Sequence, residues 1–203
     1  MGIELTELVS DFASAIKEVD AEAPQAQSKT RMYQPGFGPL SEKEAVARVL
    51  KHLKVKKSEI YSDAKPARYP GEGSQCDLVL PAQWAIEVKL VRPFGDNGKQ
   101  AEHWSENLLH PYPGNVSAIS DCLKLDESKF QERKAVLVFV YEHAIAKVNV
   151  NVAIEAFELI ARTIIGLQLG TRISNTCTEL MHPHHQCATV YGWEIFTSSP
   201  KQK

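Results

Sequence analysis

Asp77, Glu87 and Lys89 lie close together in the chain, and these are the residue types that phosphodiester hydrolysis uses. Two acids suit Mg²⁺, which takes hard oxygen ligands in an octahedron, is commonly held by one or two carboxylates and keeps waters that a phosphate can displace. An ammonium beside such a water orients it, or takes its proton if burial and the cation lower the lysine pKa toward neutrality. The cation polarises the phosphoryl oxygen, makes the water more acidic and neutralises the departing oxygen. Mg²⁺ is therefore the expected cofactor, with Mn²⁺ as a substitute.

These residues need elements to position them. Cys76 to Leu80 and Trp84 to Val91 read as two strands joined over Pro81-Ala82-Gln83. Side chains alternate along a strand, so Glu87 and Lys89 share a face, with Cα atoms about 6.5 to 7 Å apart. If Leu80 pairs with Trp84, Asp77 falls opposite Glu87. Like charges so placed repel, and either a basic partner such as Lys89 or a cation between the oxygens relieves them. Upstream, Ser41 is an N-cap with Glu44 as its capping-box partner, starting a helix that runs from Glu42 to about Leu53. Val46, Val49, Leu50 and Leu53 form its apolar face; the helical wheel puts Glu42 on that face and turns Glu44 away.

Asp77, followed by Glu87-Val88-Lys89 at the end of an apolar strand, resembles the motif of the PD-(D/E)xK nuclease superfamily, whose members share the restriction-endonuclease-like fold. Glu42-Lys43-Glu44-Ala45-Val46 is similar to the glutamate-bearing helix that precedes it in many members, while Cys76 stands where the name-giving proline would be. The resemblance spans Ser41 to about Phe139, roughly half the chain. It implies Asp77, Glu87, Glu42 and the Val88 carbonyl as metal ligands, and Lys89 as the residue that positions or activates water. The implied activity is a metal-dependent endonuclease acting on DNA, of restriction or repair type; a homodimer is expected because cutting both strands is most simply arranged by a two-fold axis matching the duplex. The alternatives are a catalytically silent nuclease-fold domain that binds nucleic acid or a protein partner, and an ion-pair cluster on an exposed sheet face, where Lys89 merely neutralises the acids.

Phosphate-binding candidates surround the motif. Lys51, Lys54, Lys56, Lys57, Lys65 and Arg68 form a basic cluster, although lysines at a helix end also complement its dipole. Arg68, beside Tyr69 in a glycine-rich loop, is the best placed for bidentate phosphate contact. After the strand, Arg92 and Lys99 can carry charge over the groove, and His110, Tyr112, Ser117 and Asp121 can wall the substrate mouth in the implied fold.

The chain as a whole is unremarkable in charge. Its 203 residues carry 23 Lys+Arg against 25 Asp+Glu, a formal charge of −2, so any polyanion site must be local. With 43% hydrophobic residues it can bury a core, and no apolar run is long enough to span a membrane. The acidic N-terminal helix does not read as an export signal, and Cys76, Cys122, Cys177 and Cys187 read as reduced thiols, which together point to a cytoplasmic protein. Cys177, His182, His184, His185 and Cys187 are zinc-type ligands without the usual paired spacing. They read as a polar loop in preference to a zinc site, with a protein built around a structural zinc loop as the rival.

Residues 1–40 read as an amphipathic helix, striped by Leu5, Leu8, Val9, Phe12, Ile16 and Val19, and a connector. The stripe serves a core or a dimer surface. Residues 41–203 read as the nuclease-like α/β domain, the whole chain being one domain. A first strand is expected at Ser58 to Ser62, a loop through Gln75, a helix from Val116 to Leu125, and a strand buried on both faces in KAVLVFVYE. A helix from Ala153 to Leu167, ending near Gly170, and a strand from Thr189 to Phe196 complete the list. The expected architecture is a mixed central sheet flanked by helices, with a restriction-endonuclease-like core and an extra N-terminal helix.

Overall fold

The computed structural model describes residues 2–22, 32–111 and 116–196. Helix α1 (Leu5–Asp20) leads through the connector to α2 (Glu42–Lys56) and a single helical turn, α3 (Ser58–Tyr61). Strands β1 (Lys65–Arg68), β2 (Gln75–Leu80) and β3 (Trp84–Val91) follow, then α4 (Glu106–Leu109), α5 (Ala118–Glu127) and β4 (Arg133–Glu142). The chain ends in α6 (Val150–Leu159) with a π-helical extension (Ile160–Ile165), β5 (Gln168–Leu169), β6 (Ile173–Thr178) and β7 (Cys187–Phe196).

The seven strands form one mixed sheet in the order β1-β2-β3-β4-β7-β5, with β6 also on β7. Only β3 and β4 run parallel; the remaining pairs are antiparallel. Strand alternation builds a core on each face. Leu78, Leu80, Ile86, Val88 and Leu90 pack under α1 and α2, while Val79, Ala85, Val91, Val136 and Val138 pack under α5 and α6. The mixed α/β architecture is as expected, and so is the capping box at the start of α2, where Glu44 Oε2 accepts from Ser41 N and Ser41 Oγ accepts from Glu44 N.

Several boundaries differ. Ser58–Tyr61 is helical, not a strand: it turns back directly off α2, and buried Tyr61 donates to Asp11 Oδ2. A first strand does exist, but it is Lys65–Arg68, inside the expected loop; an edge strand carrying Lys and Pro has no apolar alternation to betray it. The helix after β4 starts at Val150 and ends at Gly166, whose positive φ of 82° stops it, leaving Gln168 and Leu169 free to join the sheet. Strand β6, with the polar sequence ISNTCT, was not anticipated.

The N-terminal helix belongs to the same core. Leu8, Val9, Phe12 and Ile16 are fully buried against the sheet, and Trp84 Nε1 donates to the Ile3 carbonyl at 2.9 Å. This apolar stripe is therefore consumed within the chain and supplies no dimer surface. Contact is closest at Gly192, where a Cβ would stand 2.6 Å from Val9 Cγ2 and 3.0 Å from Leu137 Cδ2. Gly192→Ala should cost about 1 to 3 kcal/mol by overpacking, read as a lower urea midpoint at an unchanged m-value; an unchanged midpoint would contradict this seating of α1.

Candidate active site

The site forms where β2 leaves β3. Regular pairing runs from Leu80↔Trp84 to Leu78↔Ile86, in the expected register, and stops there. The β1–β2 register shifts by one residue between Lys65/Ala67, opposite Cys76 to Val79, which marks a bulge of the kind that re-aims side chains. Beyond Ile86 the edge amides of β3 are taken by carboxylates. Val88 N donates to Asp77 Oδ2 at 2.9 Å, and Leu90 N donates to Glu42 Oε2 at 3.0 Å. The local geometry thus explains both why Asp77 sits beside β3 and why α2 begins with an inward-facing acid.

Glu87 is 5% exposed and accepts a short hydrogen bond from the Tyr69 hydroxyl. Burial, reinforced by hydrogen bonding to Asp77 and its charge, pushes the Glu87 carboxyl up to about 9. Burial also raises Glu42, which Lys89 only partly offsets. Burial first, and the neighbouring Asp77 after it, favours the protonated form of Glu87, although the regular ladder stops one pair short of setting Asp77 directly opposite Glu87.

Lys89 does not neutralise that pair. Its ammonium lies 3.3 Å from Glu42 Oε1 and 2.9 Å from Asp121 Oδ2. Burial alone would lower its pKa, but Asp121 and Glu42 outweigh burial and hold it above the ordinary lysine value. Lys89 is thus held as a cation in this metal-free state. The cluster is buried, since Lys89 is 4% and Asp121 2% exposed, which is not the geometry of an exposed surface ion pair.

The expected substrate wall is only partly assembled. Asp121 is buried on α5 as the second anchor of Lys89 and is also bound by Lys124 at 2.7 Å. Ser117 is the N-cap of α5, accepting from Ser120 N and donating to the His110 carbonyl. Arg92 faces the opposite side of the sheet from Lys89, as strand alternation requires, and is tied to the Leu40 carbonyl and the Tyr141 ring. Lys99 sits in the loop whose Gly98 abuts the His184 ring, and Tyr112 lies outside the described residues. Arg68 remains exposed at the end of β1, next to Tyr69.

Two residues of the site were not assigned these roles from sequence. Asp121 as a lysine anchor was legible by the wheel argument that selected Glu42, because it shares a helical face with buried Ala118 and Leu125. Tyr69 had no such signal, since its role depends on the unanticipated edge strand β1.

The chemistry of the donor set fits a hard cation: Asp77 and Glu87 offer adjoining carboxylate oxygens, enough for an ion that retains several waters. Among the described residues no group of three or more His, Cys, Asp or Glu side chains is arranged to hold a metal. Glu42 is committed to Lys89 and Leu90 N, and Val88 lies on the same strand with its side chain in the core. In the histidine loop, His182 Nδ1 accepts from the amides of His184 and His185, so Nε2 bears the proton that meets Asp96 Oδ1 at 3.1 Å. Both nitrogens of His182 are engaged within the protein.

Comparison with protein-family models, with curated proteins and with solved structures gives no match. Among the described residues no helix is long and apolar enough to cross a membrane.

The raised Glu87 pKa has a consequence for stability. Its contribution is fully present below the ordinary carboxylate range and is lost as pH rises toward about 9. In metal-free buffer, Glu87→Gln should therefore gain on wild type by up to about 1.4 kcal/mol per pH unit between about pH 5 and about pH 8. Urea unfolding of both proteins at the two pH values measures it; a difference that does not vary with pH would contradict the assignment.

Proposed function

We propose that this protein is a metal-dependent endonuclease that hydrolyses DNA phosphodiester bonds, with Mg²⁺, or Mn²⁺ in its place, held by Asp77 and Glu87. The observation that carries the reading is the placement of these carboxylates: Glu87 is buried next to Asp77, and the nearby Lys89 is engaged by Glu42 and Asp121 instead of by this pair. A divalent cation in place of the Glu87 proton would polarise a phosphoryl oxygen and make a bound water acidic. On this reading Glu42 and Asp121 hold the Lys89 ammonium beside the carboxylates as a permanent positive charge, able to orient a water or stabilise a phosphoryl oxygen. The Tyr69 hydroxyl fixes one oxygen of Glu87 and leaves the other for the metal. Restriction or repair belongs to the proposal as the role of such an activity, and a homodimer would have to use a face other than the buried stripe of α1.

One observation favours a second reading, a silent nuclease-fold domain that binds nucleic acid or a protein partner. The Lys89 ammonium is held charged between two acids, so in this state it cannot act as a general base.

Supercoiled plasmid incubated with wild type and with Asp77→Asn, each in Mg²⁺, Mn²⁺ and EDTA, separates the readings. Wild type should nick or linearise the plasmid only with metal, and the variant should lose at least about a hundredfold in rate, as expected when several kcal/mol of charge stabilisation are removed. Cleavage that survives EDTA or the substitution contradicts the proposal; metal binding without cleavage of plasmid or single-stranded DNA supports the silent domain.

A further inference from the structure

A groove of about 490 Å³ lies between α2 and the β1–β2 edge, with Asp77 among its lining residues. Its walls are mainly aliphatic, supplied by Val46, Leu50, Val55 and Pro66. Val55 is 78% exposed, an isolated apolar side chain on a helix otherwise rich in charge. Lys43, Lys51 and Lys54 line the same groove.

These lysines differ from their neighbours on α2 and just beyond it. Lys56 pairs with Glu18 at 3.6 Å, and Lys57 pairs with Asp11 at 2.7 Å and Glu7 at 3.2 Å. Those two charges bind α1 and are spent on the fold. Among the described residues Lys43, Lys51 and Lys54 have no carboxylate partner. Protection of the sheet edge accounts for Lys65 and Pro66 on β1, and the helix dipole accounts for Lys54 in the last turn of α2, but neither accounts for Lys43, in the first turn, or for Lys51 facing an apolar floor.

An occupant must therefore be anionic along one side and apolar on another. A duplex presents phosphates but keeps its base faces stacked inside, so an aliphatic floor gives it nothing. A single strand exposes both, and proteins that bind single strands combine a basic track with platforms, usually aromatic, for unstacked bases; here the platform is aliphatic and offers van der Waals contact only. Lys43 to Lys54 span about 16 Å of α2, the reach of roughly three nucleotides, and a groove of this volume seats part of a strand and not a helix. We infer that the α2–β1 groove binds single-stranded nucleic acid, its bases against Val46, Leu50 and Val55 and its phosphates on Lys43, Lys51 and Lys54. The strand leads to Asp77, and the substrates are flaps, tails or gaps with an unpaired strand. The inference rests on the proposed nuclease only for the fate of the strand at Asp77, not for the binding itself.

The test is fluorescence anisotropy in EDTA, with a fluorescein-labelled oligo(dT) of about 12 nucleotides and a blunt duplex of equal length as probes. The proteins are wild type, the triple variant Lys43→Gln/Lys51→Gln/Lys54→Gln, and Val55→Ser, a surface change that leaves the core intact. Wild type should prefer the single strand. The triple variant should lose roughly tenfold in affinity for it, with a slope of log affinity on log salt shallower by about 2, since each lost phosphate contact removes about 0.7. Val55→Ser should weaken single-strand binding with the slope unchanged. Equal losses for duplex and single strand, an unaltered triple variant, or displacement of the oligonucleotide by oleate, which would mark a site for amphipathic carboxylates, each overturns the inference. Repeating the binding with Asp77→Asn separates the two claims: a groove that binds while wild type cleaves nothing leaves this inference standing and removes the nuclease, and cleavage indifferent to the lysine variant does the reverse.

Discussion

The site depends on the point at which β2 parts from β3. Had the hairpin ladder continued past Leu78↔Ile86, the amides of Val88 and Leu90 would have been taken by backbone carbonyls. Because the bulge carries β2 away, those amides are orphaned at a buried edge, where an unsatisfied donor costs about 1 to 3 kcal/mol. Asp77 and Glu42 satisfy them. A defect in sheet pairing thus fixes two carboxylates, on different elements, to one strand, and the same strand carries Glu87 and Lys89.

Charge then determines what the cluster can do. Glu42 and Asp121 converge on the buried ammonium of Lys89, with Lys124 reaching Asp121 from a half-exposed position. Lys89 is committed to Glu42 and Asp121, so Asp77 and Glu87 are left to each other, and burial together with Asp77 pushes the Glu87 carboxyl up toward its protonated form. Buried acids without a counter-charge are destabilising, and their retention is understandable if the protein exchanges that proton for a cation. The proposed nuclease follows from this imbalance more than from the spacing of the motif residues.

Much of this was legible in the sequence. The hairpin and its register followed from strand alternation and a short turn, and Glu42 followed from a charged residue on the apolar face of α2. What could not be read has physical causes. Strand β1 carries Lys-Pro-Ala-Arg, which has no periodicity, so Tyr69 had no element to place it. Ser117 and Arg92 looked available for substrate because helix caps and inward-turned arginines are polar in sequence yet satisfied in the fold. Lys89 was one of two possible partners for the acids on its own hairpin, the other being a cation; its long stem instead carries the ammonium to acids on two helices, a choice set by tertiary packing alone. The lysines of α2 separate into spent and free only once α1 is seen to dock its own acids onto Lys56 and Lys57.

The most direct test of the account is calorimetric titration of wild-type protein with Mn²⁺ and with Mg²⁺ near neutral pH, in buffers of different ionisation heat, alongside Asp77→Asn. If a cation replaces the proton on the Asp77–Glu87 pair, metal binding should release close to one proton per ion and be lost in the variant. Binding no tighter to wild type than to Asp77→Asn, or binding without proton release, would contradict it.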